Sequence, residues 1–214
     1  MGKFAKTSRM QILDSTQKNK FSDETGGVHA MALRKASSYS KWPARPYTRK
    51  SAKKAKSYIK TVPPQKVVKF HMGNISGYDQ GKFSTIISVV STERVQLRDN
   101  ALEAARQSIH KDLETECLGQ YYFAVKVYPH HILRENKMLT GAGADRMQTG
   151  MTQSFGATMG RAALVHPNKT IFLIAANSDK TIRIAREAIA KIKAKLPCST
   201  RIITEKNKFP LHKK

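Results

Sequence analysis

The sequence predicts an α+β protein, a two-layer α/β sandwich in which two amphipathic helices cover one face of a mostly antiparallel sheet. Two segments carry apolar residues at helical spacing. Seven other segments are rich in β-branched and aromatic residues, which is typical of strands. The strand segments are residues 66–72, 83–90, 121–127, 130–134, 161–166, 170–176 and 199–204. The expected order along the chain is therefore β-β-α-β-β-loop-β-β-α-β.

The first helix is expected between Thr92, a residue type that caps helices, and Gly119, a natural C-terminal stop. One face of this segment carries four apolar residues at a spacing that places them on a single stripe. They are Leu102, Ala105, Ile109 and Leu113. Arg98, Arg106 and Lys111 lie off the stripe, so we expect them to be surface charges, with phosphate contacts as the alternative.

The second helix is expected to begin after Ser178 and to end before Pro197. Its buried stripe should consist of Ile182, Ala185, Ile189, Ile192 and Leu196. The far face carries three basic residues, Lys180, Arg183 and Lys191. A basic helix face is usually only solvated, but at the net charge of this chain we interpret it as an RNA contact.

Two connections between predicted strands contain turn residues. Residues 73–82 hold three glycines, an asparagine and an aspartate, and should turn. Residues 166–169 read His-Pro-Asn-Lys, which has the composition of a hairpin turn. We expect this turn to join the strands at residues 161–166 and 170–176.

The 214-residue chain is strongly basic, with 39 Lys and Arg against 15 Asp and Glu and a formal net charge of +24. Such a balance favours a polyanionic partner such as nucleic acid, and an anionic membrane surface is the competing partner. No apolar run approaches the roughly 18 residues of a spanning helix. Cys117 and Cys198 lack metal-ligand spacing, so we expect thiols in a reducing compartment. The sequence thus indicates a cytosolic protein bound to nucleic acid.

The positive charge is concentrated in the flanks of the chain. Residues 31–60 contain ten basic and no acidic residues, whereas residues 61–168 contain twelve basic and nine acidic ones. We therefore expect the α+β core domain at residues 65–204. The other predicted parts are an N-terminal extension at residues 1–30, a basic arm at residues 31–64 and a basic C-terminal tail at residues 205–214.

Within the arm, residues 39–58 interleave basic residues with aromatic residues and prolines. Aromatic rings offer faces on which bases stack, and the cations can meet phosphates. A solvated basic tail is the alternative, but the interleaved aromatic residues favour an arm bound to RNA. The arm residues predicted to bind RNA are Trp42, Arg45, Tyr47, Arg49, Lys50, Lys53, Lys54, Lys56 and Tyr58.

A segment without apolar periodicity, residues 136–156, separates two predicted strands. Its glycines allow the backbone to pass close to a partner, and its methionines are adaptable contact residues. We interpret it as a loop presented to a polyanion. Ordinary turns and a disordered linker are alternatives. A nucleotide-phosphate cradle is disfavoured because no Gly-Lys-Ser/Thr follows.

Adjacent histidines, His130 and His131, lie in a predicted strand and should point to opposite faces, so we expect no metal site and no cofactor. An RNA-acting enzyme would need an acid and a base close together, for which His110, His130, His131 and Glu135 are the candidates. A free-standing RNA-binding protein is another alternative. The sequence contains no nucleophile or paired-carboxylate motif, so we expect a binding role rather than an enzyme.

Several motifs occur in the order in which one known family carries them. Residues 128–138 read YPHHILRENKM and residues 141–151 read GAGADRMQTGM. Supporting matches are ARPYTR at residues 44–49, MGN at 72–74, NALEAAR at 100–106, and Phe155-Gly156 with Gly160. The set covers most of the chain after residue 30. On these residues the chain resembles the universal large-subunit ribosomal protein sixteen family, in its archaeal and eukaryotic branch, also called protein ten-e of the large subunit.

The resemblance implies an α/β hammerhead-type fold and a structural role in the large ribosomal subunit. It implies binding to large-subunit rRNA beside the peptidyl-transferase centre, with the glycine-rich loop reaching towards the acceptor arm of tRNA and no catalytic group supplied. Eukaryotic members join late in subunit maturation, so neighbouring ribosomal proteins and maturation factors are also implied partners. Mapped onto this sequence, the tRNA-proximal residues are Arg134, Lys137, Met138, Gly141, Gly143, Asp145, Arg146, Gln148, Gly150 and Met151.

The chain also departs from the family pattern. Ala157 and Thr158 stand where Lys-Pro is common, and His71 stands where an acidic residue is expected. The arm between Arg49 and Tyr58 is longer than usual. Thirty residues precede Met31, where archaeal members tend to begin.

Overall fold

The computed structural model describes residues 34–51, 53, 55, 59, 61–136 and 156–207. Within these ranges the chain forms eight strands and three α-helices. They are β1 (His71–Gly73), α1 (Ile75–Asp79), β2 (Thr85–Ser91), β3 (Val95–Arg98), α2 (Asp99–Glu116), β4 (Tyr121–Val125), β5 (His131–Glu135), β6 (Ala157–Val165), β7 (Thr170–Ala176), α3 (Asp179–Ile192) and β8 (Thr200–Lys206). A short 3-10 turn, Lys193–Lys195, follows α3.

The strands form two antiparallel sheets, so the α+β class is confirmed, but the single sheet expected from the sequence is wrong. The larger sheet has the order β1-β4-β7-β2-β8 and the smaller one the order β3-β6-β5. Each pair of neighbouring strands is antiparallel. The chain therefore contributes strands to two separate sheets, and some of its connections pass from one sheet to the other.

The turn at residues 166–169 makes such a passage and does not close a hairpin. Strand β6 pairs with β3 and β5, whereas β7 pairs with β2 and β4. The turn itself is as tight as its composition predicts, since Lys169 N lies 3.2 Å from His166 O and Asn168 has a φ of 62°. Asn168 N donates to Ser91 O (2.8 Å) and Ser91 N donates to Lys169 O (3.1 Å), so the turn is tied to the end of β2 instead.

The first long helix begins seven residues later than the cap predicted at Thr92. Residues Val95–Arg98 form β3 instead, and all four are buried. Thr92 contributes to the fold in another way, because both its N and its Oγ1 donate to Ser199 O. The C-terminal end is close to the prediction, since α2 ends at Glu116 and Gly119 has a φ of +71°.

Arg98 and Arg106, which we expected to be surface charges, are both buried. Arg98 Nη2 donates to the carbonyls of Arg34 (2.9 Å) and Lys35 (2.6 Å). Arg106 forms two hydrogen bonds to the Glu103 carboxylate, at 2.8 and 2.5 Å. Each guanidinium thus has polar partners that permit its burial. Lys111 is exposed, as predicted.

Helices α2 and α3 contact each other, and each also contacts the larger sheet. The apolar stripe predicted for α2 is confirmed, because all four of its residues are buried. Of the five stripe residues predicted for the second helix, four are buried, namely Ala185, Ile189, Ile192 and Leu196. Ile182 is only partly buried, and Ile184 and Ala188 are buried in addition. Ser178 occupies the N-cap position without a side-chain capping bond. The core between helices and sheet also includes Phe123 and Phe172.

The first strand was predicted at residues 66–72 but is shorter. Only His71–Gly73 form β1, which lies at the edge of the larger sheet. The following turn contains the short helix α1, which Asn74 caps by accepting a hydrogen bond from Gly77 N at 2.7 Å. Gly73, the last residue of β1, has a φ of +80°, and a Cβ there would collide with the Tyr121 carbonyl. A glycine is therefore required at this bend.

Candidate nucleic-acid interface

The first part of the basic arm lies against the smaller sheet. Gln96 of β3 donates from its backbone N to Ser40 O (3.0 Å) and from Nε2 to Tyr39 O (2.5 Å). The buried Arg98 side chain binds the carbonyls of Arg34 and Lys35. The ring of Tyr39 packs against a buried cluster that includes Leu133 of β5. Neutral carbonyls and apolar contact thus hold this segment on the sheet.

The second part of the arm follows β5 and β6. Tyr47 N donates to His131 Nδ1 (2.9 Å), and Ile132 N donates to Tyr47 O (3.0 Å). Burial, followed by the positive charge of Arg134, lowers the pKa of His131, so the imidazole is neutral and its Nδ1 can accept. Further along, Thr158 Oγ1 donates to Thr61 O at 2.9 Å. Thr158, which departs from the family pattern, therefore helps to hold the arm against the smaller sheet.

Two of the three aromatic residues predicted to stack on bases, Trp42 and Tyr47, are in contact with arginine side chains. The Arg94 guanidinium lies 4.2 Å from the Trp42 ring centre, and the His166 ring centre lies 4.8 Å from it. The Arg134 guanidinium lies 4.4 Å from the ring centre of Tyr47. Cation–π contact of this kind positions the guanidinium as well as the ring. Tyr58, the third predicted ring, lies outside the described residues.

The basic residues of the arm divide into two groups. Arg45, Arg49 and Lys53 are exposed. Lys50 is partly buried, and burial together with the positive charge of Arg161 lowers the pKa of its ammonium group. Lys54 and Lys56 lie outside the described residues.

The three basic residues predicted on the far face of the second helix do not have the same surroundings. Lys180 and Arg183 are exposed. Lys191 is also largely exposed, but its Nζ lies 2.9 Å from Asp112 Oδ2 of α2. Lys191 therefore bridges the two helices, because α3 turns this residue towards α2. Its side chain is a less suitable RNA contact than the other two.

The predicted loop departs from a defined stem. At its start the carboxylate of Glu135 binds Arg34 Nη2 at 2.6 Å, and Arg34 Nη1 donates to Tyr39 Oη at 2.9 Å. At its end Gly156 has a φ of +77°, and a Cβ there would lie 2.7 Å from the carbonyl atoms of Glu135. Glycine at this position lets the two sides of the stem approach closely. The predicted loop residues Lys137, Met138, Gly141, Gly143, Asp145, Arg146, Gln148, Gly150 and Met151 lie outside the described residues.

The residues considered for acid–base chemistry have other contacts. His131 is buried against Tyr47 and Glu135 binds Arg34. His110 Nε2 lies 3.9 Å from Glu114 on α2. In the described part of the chain, no group of three His, Cys, Asp or Glu residues could hold a metal ion. The helices that the structure describes are all too short or too polar to span a membrane.

Sequence reasoning missed three arginines that contribute to this surface: Arg34, Arg94 and Arg161. Arg34 and Arg94 contact Tyr39 and Trp42 of the arm. Arg161 lies on β6 and donates from Nε to Pro63 O at 2.7 Å. An arginine inside a predicted apolar strand was a usable signal, because arginine is rarely buried without a partner. The other two carry no local signal and are brought to the arm only by the fold.

The chain is similar in sequence to one known protein family and to individual members of it. The sequence profile of the family described as Ribosomal protein L16p/L10e matches residues 43–203. Large ribosomal subunit protein uL16 of Hyperthermus butylicus is 45% identical over 168 residues, which cover 75% of this chain and 91% of that protein. The proteins of the same name from Thermofilum pendens and Methanococcus maripaludis are each 42% identical, over 82% and 83% of this chain and 98% and 97% of their own lengths. With its profile match and these relatives, the chain belongs to the Ribosomal protein L16p/L10e family.

Proposed function

We propose that the chain is a structural constituent of the large ribosomal subunit. It binds large-subunit rRNA near the peptidyl-transferase centre and helps to position tRNA through its glycine-rich loop. The observation that carries this proposal is the family membership, which spans residues 43–203. The family consists of ribosomal proteins, so the chain is not an enzyme and acts as a component of the cytoplasmic ribosome.

The distribution of charge supports rRNA as the partner of the arm. Residues 31–60 contain ten basic and no acidic residues, and Arg45, Arg49 and Lys53 expose their side chains. Hydrogen bonds to backbone carbonyls contribute to holding the arm on the sheet, and exposed cations along it can meet phosphates. Lys180 and Arg183 of α3 provide a second exposed basic patch. The rRNA-binding residues proposed from the sequence outside the described ranges remain part of the proposal.

The stem supports the proposed role of the loop. Glu135 pairs with Ala157 across the stem, and Gly156 lets the two sides approach closely. Arg34 of the arm binds the Glu135 side chain. A loop that starts from an anchored stem can be aimed at a partner, since its two ends cannot drift apart. Residues 137–151 then contact the acceptor arm of tRNA, and Arg134, Lys137 and Arg146 supply the cations.

The remaining parts of the proposal concern architecture and partners. The core at residues 65–204 has the α/β hammerhead-type sandwich of the family, flanked by the extension, the arm and the tail. Neighbouring large-subunit proteins and subunit-maturation factors are its protein partners. The two helices packed together on the larger sheet support the sandwich.

Sucrose-gradient fractionation tests the ribosomal role. Native lysate is separated at moderate and at high salt, and each fraction is probed for the chain. We expect it to migrate with large subunits at moderate salt, because many phosphate contacts act together. A chain that stays at the top of the gradient contradicts the proposal and indicates a free RNA-binding protein.

Deletion of residues 141–150 tests the role of the loop. Subunits that incorporate the deletion variant should position tRNA poorly and synthesise peptides slowly, while their content of this chain stays normal. A variant in which exposed Lys126, which follows β4, is replaced by glutamine serves as the control for incorporation. Normal peptide synthesis by the deletion particles would show that the loop does not act on tRNA.

A further inference from the structure

Three aromatic rings form a cluster at the surface where the chain leaves β4 for β5. The ring centre of Tyr128 lies 5.4 Å from that of Phe70, with the two rings nearly parallel, and 4.4 Å from that of His130. Phe70 is partly buried and packs against the main core. Tyr128 is 42% exposed, and His130 is also exposed. This ring cluster (Phe70, Tyr128 and His130) is thus anchored in the core and open to solvent.

The segment that connects β4 to β5 presents two of these rings to solvent. Tyr128 and His130 are exposed, whereas Pro129 and His131 are buried. Exposure therefore alternates along the segment as it does along a strand, where successive side chains point to opposite faces. This agrees with the opposite orientations expected for the two adjacent histidines. His131 accepts a hydrogen bond from the arm, so the ring cluster lies on the other face of the segment.

The third ring comes from a distant segment. Val125 N donates to Phe70 O at 2.8 Å, which fixes the backbone of Phe70 beside the end of β4. Ring centres that lie 4.4 and 5.4 Å apart are within the range of favourable aromatic contact. A single exposed ring is ordinary on a protein surface. A cluster built from two segments, by contrast, presents ring faces that are already in place before a ligand binds.

The ring cluster differs from the aromatic residues of the arm in what covers its rings. Arginine side chains lie over Trp42 and Tyr47, at 4.2 and 4.4 Å from the ring centres. Within the described part of the chain, no cation–π contact involves Phe70 or Tyr128. The cluster therefore leaves aromatic faces to a ligand, whereas each of the two arm rings has a protein cation in contact.

The surroundings of the ring cluster favour a nucleic acid as that ligand. Residues 65–71 and 125–131, which supply all three rings, contain three lysines and no acidic residue. A nucleobase offers a flat π face, and the phosphates on either side of it carry negative charge. An unpaired base thus matches both the exposed rings and the positive charge around them.

We propose that the ring cluster is a platform on which one unpaired base of large-subunit rRNA stacks. His130 contacts the base, and Tyr128 holds the imidazole in place. The inference rests on the proposed function, which supplies the RNA, and adds a contact outside the arm, the basic helix face and the loop. Every base has a π face, so the platform contributes affinity without reading sequence.

The test measures the affinity of full-length variants for large-subunit rRNA over a series of salt concentrations, and their melting temperatures without RNA. H130A removes the outer ring, H130F keeps a flat ring at the same position, and Y128L removes the supporting ring but keeps apolar bulk. Val68 is 76% exposed and lies two residues before Phe70. V68A therefore serves as the control for loss of apolar surface without loss of a ring.

Ultraviolet cross-linking provides an independent measurement. A base stacked on the ring cluster should become attached to the tryptic peptide of residues 127–134, which carries both exposed rings. The same adduct should be weaker in H130A, and mass spectrometry of the digested complex measures it.

H130A should weaken binding about tenfold, as expected when a ring beneath a stacked base is removed. The salt slope should stay unchanged, because no phosphate contact is lost. Y128L should weaken binding by a smaller factor, whereas H130F and V68A should bind like the wild type. The melting temperature of H130A should remain close to that of the wild type, because the ring that it removes is exposed.

Several results would overturn the inference. Wild-type affinity in H130A would show that no base stacks on the cluster. A loss that H130F does not restore, or that comes with a lower salt slope, would assign the effect to the charge or hydrogen bonds of the imidazole. An equal loss in V68A would show a general apolar effect. Normal rRNA affinity together with poor incorporation of H130A into large subunits would indicate a protein partner on the rings.

Failure of the proposed function is a separate outcome. In that case the wild-type chain itself does not bind rRNA, and the platform has no ligand. If the wild-type chain binds rRNA and H130A binds equally well, the proposed function stands and only the platform is overturned.

Discussion

Basic side chains have different partners on the helix pair and along the arm. On the helices, two basic residues are paired with carboxylates: Arg106 with Glu103 at 2.5 Å and Lys191 with Asp112 at 2.9 Å. Along the arm, the arginines that reach from the sheet are held by neutral acceptors. Arg98 binds backbone carbonyls, and Arg161 binds Pro63 O and the Gln65 side chain.

Under the proposed function, this difference separates cations that stabilise the fold from cations that bind RNA. A cation paired with a carboxylate stabilises contacts within the protein and adds little to the field outside it. A partly exposed guanidinium held by neutral acceptors, such as that of Arg161, keeps its charge for an external anion, whereas Arg98 is buried. The Arg34–Glu135 pair is an exception, because here a carboxylate at the end of β5 binds a cation of the arm.

The largest effect is expected when the buried pair on α2 is broken. The Arg106 and Glu103 side chains are only 11% and 13% exposed. E103Q leaves Arg106 without its counterion, so it should lower the free energy of unfolding by about 3 kcal/mol at neutral pH. Urea denaturation measures this change. Exposed Glu116 on the same helix provides the control, and E116Q should change stability by less than about 0.5 kcal/mol.

The pH dependence of the same variant sharpens the prediction. Burial opposes ionisation of Glu103, but hydrogen bonds from Arg106 and Gln107 outweigh burial, and its pKa is lowered. A carboxyl group with a lowered pKa adds stability above its unfolded pKa and loses that contribution as the pH falls through the folded value. Wild type and E103Q should therefore converge in acid. An equal difference in acid and at neutral pH would assign the loss to packing instead.

A smaller effect is expected where the arm is joined to β5. His131 accepts the Tyr47 N–H only as a neutral imidazole, and burial lowers its pKa. This contribution is present above the pKa of a free histidine and is lost as the pH falls through the lowered value. H131F should cost about 1 kcal/mol at neutral pH, the usual net value of a hydrogen bond. Urea denaturation between about pH 5 and 7 measures both the loss and its pH dependence.

The exposed neighbour His130 offers the matched control for this measurement. H130Q should retain the wild-type decrease in stability on acidification, whereas H131F should flatten it. If H131F keeps the full decrease, another group is responsible and the neutral state of His131 does not hold the arm.

The sequence predicted the parts of the molecule that depend on local pattern. The apolar stripe of α2 and the strand Thr170–Ala176 are present as expected, because spacing alone determines which of their residues can be buried together. The family was identified from short motifs that occur in order along the chain, which also requires no knowledge of distant contacts. The arm and tRNA loop, as binding elements, remain proposals.

Contacts between distant segments could not be predicted. Residues Val95–Arg98 resemble a helix start, yet they form a strand because β6 pairs with one edge and the arm covers their polar side chains. The turn at residues 166–169 has hairpin composition, but its bonds to Ser91 send the chain into the other sheet. Pro63 of the arm and Arg161 of β6 meet only in the folded protein. Neither residue carries a local signal of the other.

The smallest effect distinguishes two lysines of α3 that look equivalent in the sequence. Lys191 is bound to Asp112, whereas Lys180 is exposed at the start of the helix. K191A should lower stability only slightly, and less at high salt, because an ion pair with an exposed member is screened. D112N should reproduce this loss, and the double variant should add nothing to it. K180A should leave stability unchanged and lower affinity for large-subunit rRNA roughly threefold. If K191A weakens rRNA binding as much as K180A, pairing with a carboxylate does not withdraw a cation from RNA, and the contrast between helices and arm fails.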